Sequence, residues 1–266
     1  MILSRAPLRI TLGGGGTDLP SYYSRYGGFV LSAAINKYVY IYVNRPAADD
    51  LIRVKYSRYE QVEHVDDIQH DLVKPALKLL QLNGGIEIVS MADVPDGTGL
   101  GSSGSYLVAL LAALYELKRE KISRHTLAEQ ASHIEIDLAG HPVGKHDQHL
   151  AASGGITCLD IQPDGEVRVS PLNISIGAIE ELRNQVLLFF TGISRSSRDI
   201  LDEQKRDTER GDSTVIDSLH RTKELGYKVK ESLEQGDLER FAMLLDQHWQ
   251  NKKRRSKQIS DQHIDR

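Results

Sequence analysis

The sequence has almost no sulfur chemistry to offer. A single cysteine, Cys158, among 266 residues rules out a disulfide framework within the chain. That fits a reducing compartment and sets the expectation of a cytoplasmic protein. Long apolar runs are missing too. The longest near-apolar stretch is "YLVALLAALYEL", Tyr106 to Leu117, which suits a buried helix and falls short of the length of about 18 residues that a membrane helix needs. A membrane partner is therefore not expected. The start, "MILSRAPLRITLGGGGTD", carries Arg5 and Arg9 where a signal peptide needs an unbroken apolar run. Nor is there a basic excess: 33 Lys and Arg face 37 Asp and Glu, for a formal charge of −4. A dedicated nucleic-acid binder is excluded on that balance. Internal repeats, low-complexity tracts and Pro/Ser linkers are also lacking.

Glycine and serine, by contrast, are concentrated in one place. "PDGTGLGSSGS", Pro95 to Ser105, holds four glycines and four hydroxyl residues in front of the apolar run. Loops of this kind cradle phosphates because glycine lets backbone N–H groups approach an anion closely. The start of a helix adds unpaired N–H groups and positive dipole character. A Walker loop needs a Lys after its last glycine, and none is present. Gly99, Gly101 and Gly104 satisfy G-x-G-x-x-G formally. However, "ADVPD" separates them from the preceding strand, and residues 121–139 read as helical where a dinucleotide fold wants a strand ending in an acid. An anion loop opening a helix near Ser103 remains, beside the plainer alternative of a glycine turn before a buried helix.

Along the chain, "LSRAPLRITL", "FVLSAAI", "YVYIYVN", "LIRVKYS" and "GIEIVSM" read as strands. "DLVKPALKLLQL" has helical spacing with Pro75 in or near its first turn. A further helix spans about Ser123 to Ala139, with Ser123 as N-cap and Gly140 and Pro142 as its stop. "GGITCLDI" and "EVRVSPL" form a hairpin about Pro163, Asp164 and Gly165. "QVLLFFTG" reads as an apolar strand buried on both faces. From about Ser196 to Arg255 the chain is charged and helical. The change of character near residue 180 places a domain boundary there, giving 1–180 and 181–266.

The stretch Pro95–Gly97–Gly99–Leu100–Gly101–Ser102–Ser103 resembles the nucleotide loop of the GHMP kinases, a superfamily that includes galactokinase, homoserine kinase and mevalonate kinase. The resemblance implies ATP bound by this loop, with Ser103 helping to hold Mg²⁺. "APLRITLGGGGTD" is similar to the first motif of that family and puts Arg9 near the reacting hydroxyl, where a permanent cation stabilises developing charge. Thr17 and Asp18 match the Thr-Asp with which the sugar kinases grip sugar hydroxyls; without the resemblance, Asp18 reads as a turn or N-cap residue. "SHIEIDLAGHPVGKHDQH" resembles the middle segment. It implies Glu135 as an Mg²⁺ ligand and Asp147 as catalytic base or hydroxyl orienter. His141, His146 and His149 lack zinc-type spacing and read as surface or hydrogen-bonded histidines. The implied fold is α+β: a two-domain GHMP kinase fold with a left-handed βαβ unit, against the usual rule, and a ferredoxin-like second domain.

"RAPLRITLGGGGTDLPSYY", "GKHDQHLAASGG", "FTGISRSSRDIL" and "HWQNKKRRSKQIS" together look like the D-glycero-D-manno-heptose 7-phosphate kinase group. That implies transfer of the ATP γ-phosphate to the anomeric hydroxyl of a phosphorylated heptose, toward nucleotide-activated heptose and surface glycans. A sugar phosphate is then the expected small-molecule partner, and its phosphate needs an anion site. Arg195 and Arg198 in "SRSSR" are candidates, as is the run Lys252 to Arg255; for the latter a solvated helix face is the competing reading. The family's third, Gly-rich motif is not found, so a truncated second domain with a partly uncovered sheet and low activity is expected. A fucokinase-like kinase and a non-catalytic nucleotide- or sugar-binding remnant are the alternatives. The oligomeric state is left open, with a homodimer among the options.

Overall fold

The computed structural model describes residues 1–189, 197–255 and 259–260. Two long strands organise the chain: β1 (Ile2–Gly13) and β2 (Gly28–Asn44) pair with each other. Two compact units interleave along the sequence. One comprises Met1–Arg9, Ala34–His141 and Asp147–Gly154; the other comprises Ile10–Ala33, Pro142–His146 and Gly155–Arg266. This cuts the chain differently from the compositional boundary near residue 180. The reason is that β1 and β2 each feed both units, which local composition cannot reveal.

In the first unit the later half of β2 runs antiparallel to β5 (Ile86–Ala92), with Val39 opposite Ala92 and Asn44 opposite Glu87. β5 is parallel to β3 (Ile52–Lys55), which is antiparallel to β4 (Tyr59–Val62). The period of two decides the faces of β2: Val39, Ile41 and Val43 are buried, while Tyr38, Tyr40 and Tyr42 alternate with them half-buried. The return from β3 to β5 passes through α2 (Val73–Leu79), where Pro75 sits in the first turn and costs no hydrogen bond. α3 (Ser102–Lys118) sinks Leu107, Leu110, Leu111 and Leu114 into a core shared with Ile41, Leu77 and Ile88. α4 (Arg124–His133) starts at Ser123, whose Oγ accepts from the Thr126 N–H at 3.0 Å. Such a cap stabilises by about 1 kcal/mol. The helix then widens into a π-helical turn, Ile134–Leu138, closed by Ala139 N–H to Ile134 O.

In the second unit the early half of β2 is antiparallel to β6 (Ile156–Ile161), and β6 to β7 (Val167–Pro171), across the expected turn. Helices α1 (Pro20–Tyr26), α6 (Ile176–Gln185), α7 (Ser197–Arg210), α8 (Ser213–Glu234) and α9 (Leu238–Lys253) belong to it, and α5 (His146–Ser153) begins in it. Leu225, Val229 and Leu233 recur at helical spacing on α8 and pack on Phe29, Leu31, Phe241 and Leu244. Asp212 and Asp237 cap α8 and α9.

The fold is α+β. β2 has antiparallel neighbours in both units, so this is not a doubly wound parallel sheet, and the dinucleotide reading of Gly99 to Gly104 ends there. One strand expectation fails. Val186 to Phe189, the described part of "QVLLFFTG", follows α6 as irregular chain with Leu187 and Phe189 well exposed. Apolar composition alone makes no strand without a hydrogen-bonded neighbour. After Pro171 the described residues contribute no strand. Among the described residues no helix is long and apolar enough to cross a membrane.

Candidate active site

The glycine-rich loop leaves β5 at Ala92 and enters α3 at Ser102. Pro95 and Gly99 are exposed, and Gly97, Leu100, Ser102 and Ser103 are half-buried. The Ser102 hydroxyl donates to Asp96 Oδ1 at 2.7 Å, which ties the loop to the helix start. Ser105 N–H is the first to find a helical carbonyl, that of Gly101. The N–H groups of Ser102, Ser103 and Gly104 therefore form an open first turn, which is an anion receptor by construction.

Arg9, on β1, is bound to this loop at two points and to Asp147 by two more. Its backbone N–H donates to Leu100 O at 3.0 Å, and its Nη1 donates to Gly99 O at 2.6 Å. Its Nε and Nη2 donate to the two carboxylate oxygens of Asp147, at 2.6 and 2.8 Å. The pair is mostly buried, at 14% and 19% side-chain exposure. Gly101 makes this approach possible. Its φ is +76°, and a Cβ there would lie 3.1 Å from Arg9 Cγ, Arg9 Nε and Asp147 Cγ. At Gly104 a Cβ would meet Asp147 Cβ at 2.7 Å. These two glycines thus seat the helix against the Arg9–Asp147 pair.

Glu135 lies on the π-helical turn and is 1% exposed. Its Oε2 accepts from Gln148 Nε2 at 2.7 Å; its Oε1 has no hydrogen-bond partner, with His141 Nδ1 3.7 Å away. A buried carboxylate oxygen without a hydrogen-bond partner is the kind of hard oxygen donor that could hold a cation such as Mg²⁺.

Asp18 belongs to the second unit. Its Oδ1 accepts from Gly16 N–H at 3.0 Å, and its Oδ2 lies 2.5 Å from His146 Nδ1. The other ring nitrogen of His146 is 3.3 Å from Thr11 Oγ1. Thr17 departs from the expected substrate contact. It is fully buried, with its hydroxyl shared among Gly14 O, Phe29 O and Phe29 N, so it braces the turn that presents Asp18. His141, His146 and His149 are buried rather than on the surface. Each is held by a carboxylate: His141 by Asp71, His146 by Asp18 and His149 by Glu129.

Arg195 lies outside the described residues. Arg198 is exposed on α7. Arg255 is not on a solvated face: it is 7% exposed, just beyond the end of α9.

Residues 71–155 match the family described as GHMP kinases N terminal domain. The whole chain aligns at 29% identity with the D-glycero-alpha-D-manno-heptose 7-phosphate kinase of Campylobacter jejuni, covering 81% of that protein. A crystal structure of a D-glycero-D-manno-heptose 1-phosphate kinase from Bacteroides thetaiotaomicron matches with a TM-score of 0.81 and 28% identity, over 95% of this chain and 79% of that one. The L-fucokinase/L-fucose-1-P guanylyltransferase of Bacteroides fragilis is 24% identical over 95% of this chain and 30% of its own length.

Proposed function

We propose that this chain, a phosphotransferase with the GHMP kinase fold and N-terminal domain, moves the γ-phosphoryl group of ATP to the anomeric hydroxyl of D-glycero-D-manno-heptose 7-phosphate. The products are ADP and the 1,7-bisphosphate, a precursor for nucleotide-activated heptose and surface glycans. The observation that carries the reading is the Arg9–Asp147 pair set against the glycine-rich loop. Phosphoryl transfer asks for positioning and charge neutralisation more than for covalent help. In this reading the residues from Pro95 to Ser103 hold the ATP phosphates, and Arg9 faces the transferring group.

Asp147 orients the anomeric hydroxyl and takes its proton as the new P–O bond forms and the γ-phosphate leaves the β-phosphate oxygen. A loose transition state, in which the proton leaves late, asks little basicity of the carboxylate. Glu135 and Ser103 are the proposed Mg²⁺ ligands; the ion, when bound, screens the charge that builds up on the phosphates. Asp18, held by His146, grips sugar hydroxyls. Arg198, with Arg195, stays a candidate for the substrate's phosphate. A cytoplasmic setting belongs to this reading.

The two heptose kinase names differ in which phosphate the substrate already carries. The whole-chain alignment with the 7-phosphate enzyme favours the anomeric hydroxyl as acceptor. A fucokinase-type substrate is the second reading, supported by the Bacteroides fragilis relative. The test is coupled ADP release with heptose 7-phosphate, heptose 1-phosphate, L-fucose and D-galactose. The proposal expects kcat/KM for the 7-phosphate to exceed the others by about a hundredfold or more. A preference for L-fucose overturns it.

A further inference from the structure

Arg255 stands out as a cation that is almost wholly buried. Among the described residues no carboxylate forms an ion pair with it, and its Nε is buried without a hydrogen-bond partner. Three hydrogen bonds engage its two terminal nitrogens. Nη1 donates to Gln204 Oε1 at 3.2 Å and reaches Gly15 O at 3.5 Å; Nη2 donates to Thr222 Oγ1 at 3.1 Å. Gln204 completes the link, its Nε2 donating to Gly16 O at 2.9 Å. From the other side Asn251 fixes Thr222, donating to its Oγ1 at 2.9 Å and to Ser218 O at 2.8 Å. The glycine turn is fitted to this group. Gly16 has φ of +98°, and a Cβ on it would lie 2.7 Å from Arg255 Nη1. The same Gly16 supplies the N–H that holds Asp18 Oδ1.

Stability does not account for such a residue. Burying a charge costs several kcal/mol, and apolar replacement of buried charges is often neutral or stabilising. Burial lowers the Arg255 pKa to about 10, with the Asp18 charge opposing the shift, so it remains a cation at neutral pH.

We propose that Arg255 is a positioning residue for sugar recognition, clamping the Gly14–Gly16 turn so that Asp18 is held ready for substrate hydroxyls. The inference rests on the assignment of Asp18 to the sugar. Arg255 does not itself touch substrate; it works through Gln204 and the carbonyls of Gly15 and Gly16.

The experiment uses the full chain with saturating ATP and varied heptose 7-phosphate, together with titration calorimetry for the sugar phosphate and for an ATP analogue. Arg255→Met should raise the sugar KM and Kd about tenfold or more while leaving kcat within a few-fold and the ATP analogue affinity unchanged. Its thermal midpoint should be no lower than wild type by more than a few degrees. Gln204→Met should shift the sugar KM in the same direction by less, and it decides the matter if Arg255→Met does not fold. Wild-type sugar KM in both variants overturns the proposal. So does a rise in KM matched by an equal loss of ATP analogue binding and a collapsed midpoint, since that is a merely structural role. Asp18→Asn separates the two levels. If it raises the sugar KM while Arg255→Met and Gln204→Met do not, only this inference fails. If it leaves sugar binding intact, the reading of Asp18 fails and takes this inference with it.

Discussion

Arg9 clasps Asp147 with two parallel hydrogen bonds, Nε to Oδ1 at 2.6 Å and Nη2 to Oδ2 at 2.8 Å, joining residues 138 positions apart in the sequence. A guanidinium fork on a carboxylate fixes both planes at once. The same Arg9 binds the carbonyl of Gly99, so one side chain sets the distance between the glycine-rich loop and the acid.

The acid is tested by Asp147→Asn, which keeps the shape but removes the charge and the proton acceptor. The expected outcome is a fall in kcat of about a hundredfold or more, with binding of an ATP analogue retained. Rapid-quench single turnovers with saturating sugar and ATP isolate the chemical step. Undiminished turnover means that Asp147 is neither base nor orienter.

Gly101→Ala tests the close packing around the pair. The left-handed backbone at φ +76° strains any alanine, and the added Cβ presses on Arg9 and Asp147 at 3.1 Å. The strain should cost on the order of 1–2 kcal/mol. A displacement of a few tenths of an ångström in the pair should cost about tenfold in kcat. Gly140→Ala is the control: it has the same sign of φ, at +69°, with nothing within 4 Å of the new Cβ. That variant should lose stability by the strain alone and keep kcat. Equal kcat in the two variants contradicts the packing argument.

His248 makes stability depend on pH. Its Nε2 accepts from Gly14 N–H at 3.3 Å, and burial, with Arg255 and Lys252 nearby, lowers its pKa from 6.5 to about 4. The folded value lies below the unfolded one, so the unfolded chain takes up a proton first as pH falls from 6.5 toward 4. Stability contributed by the neutral imidazole is whole above pH 6.5, declines through that window, and has fallen by roughly 2 kcal/mol at pH 4.5. His248→Gln keeps an acceptor for Gly14 and cannot titrate. Urea unfolding at pH 7 and pH 4.5 should show a smaller pH difference for the variant than for wild type, by about that amount. Parallel pH dependence in both proteins removes His248 from the account.

Much of the site was legible because its chemistry is local in sequence. Pro95 to Ser103 is a contiguous loop, Arg9 precedes a glycine run, and Asp147 follows the turn that holds Gly140 and Gly144. The Ser123 cap, the buried helix after Ser102 and the hairpin about Gly165 follow from turn chemistry and periodicity. What sequence could not give depends on pairings between distant residues. The Asp18–His146 and Glu135–Gln148 contacts need the fold to bring remote segments together. Arg255 sits in a basic run that looks like solvated surface, yet it is buried against Thr222 of α8, Gln204 of α7 and the turn at Gly15 and Gly16. Thr17 looked like a substrate contact, yet its hydroxyl is consumed by the backbone of Gly14 and Phe29. Val186 to Phe189 had strand composition, yet among the described residues they pair with no strand.

The most direct measurement is ³¹P NMR of the product made from ATP and D-glycero-D-manno-heptose 7-phosphate by wild type and by Asp147→Asn in parallel. The account predicts a new phosphate resonance coupled to the anomeric proton, growing with ADP in the wild-type reaction and slowed by about a hundredfold or more in the variant. A product phosphorylated at another hydroxyl, no product from wild type, or equal rates for the two proteins would contradict it.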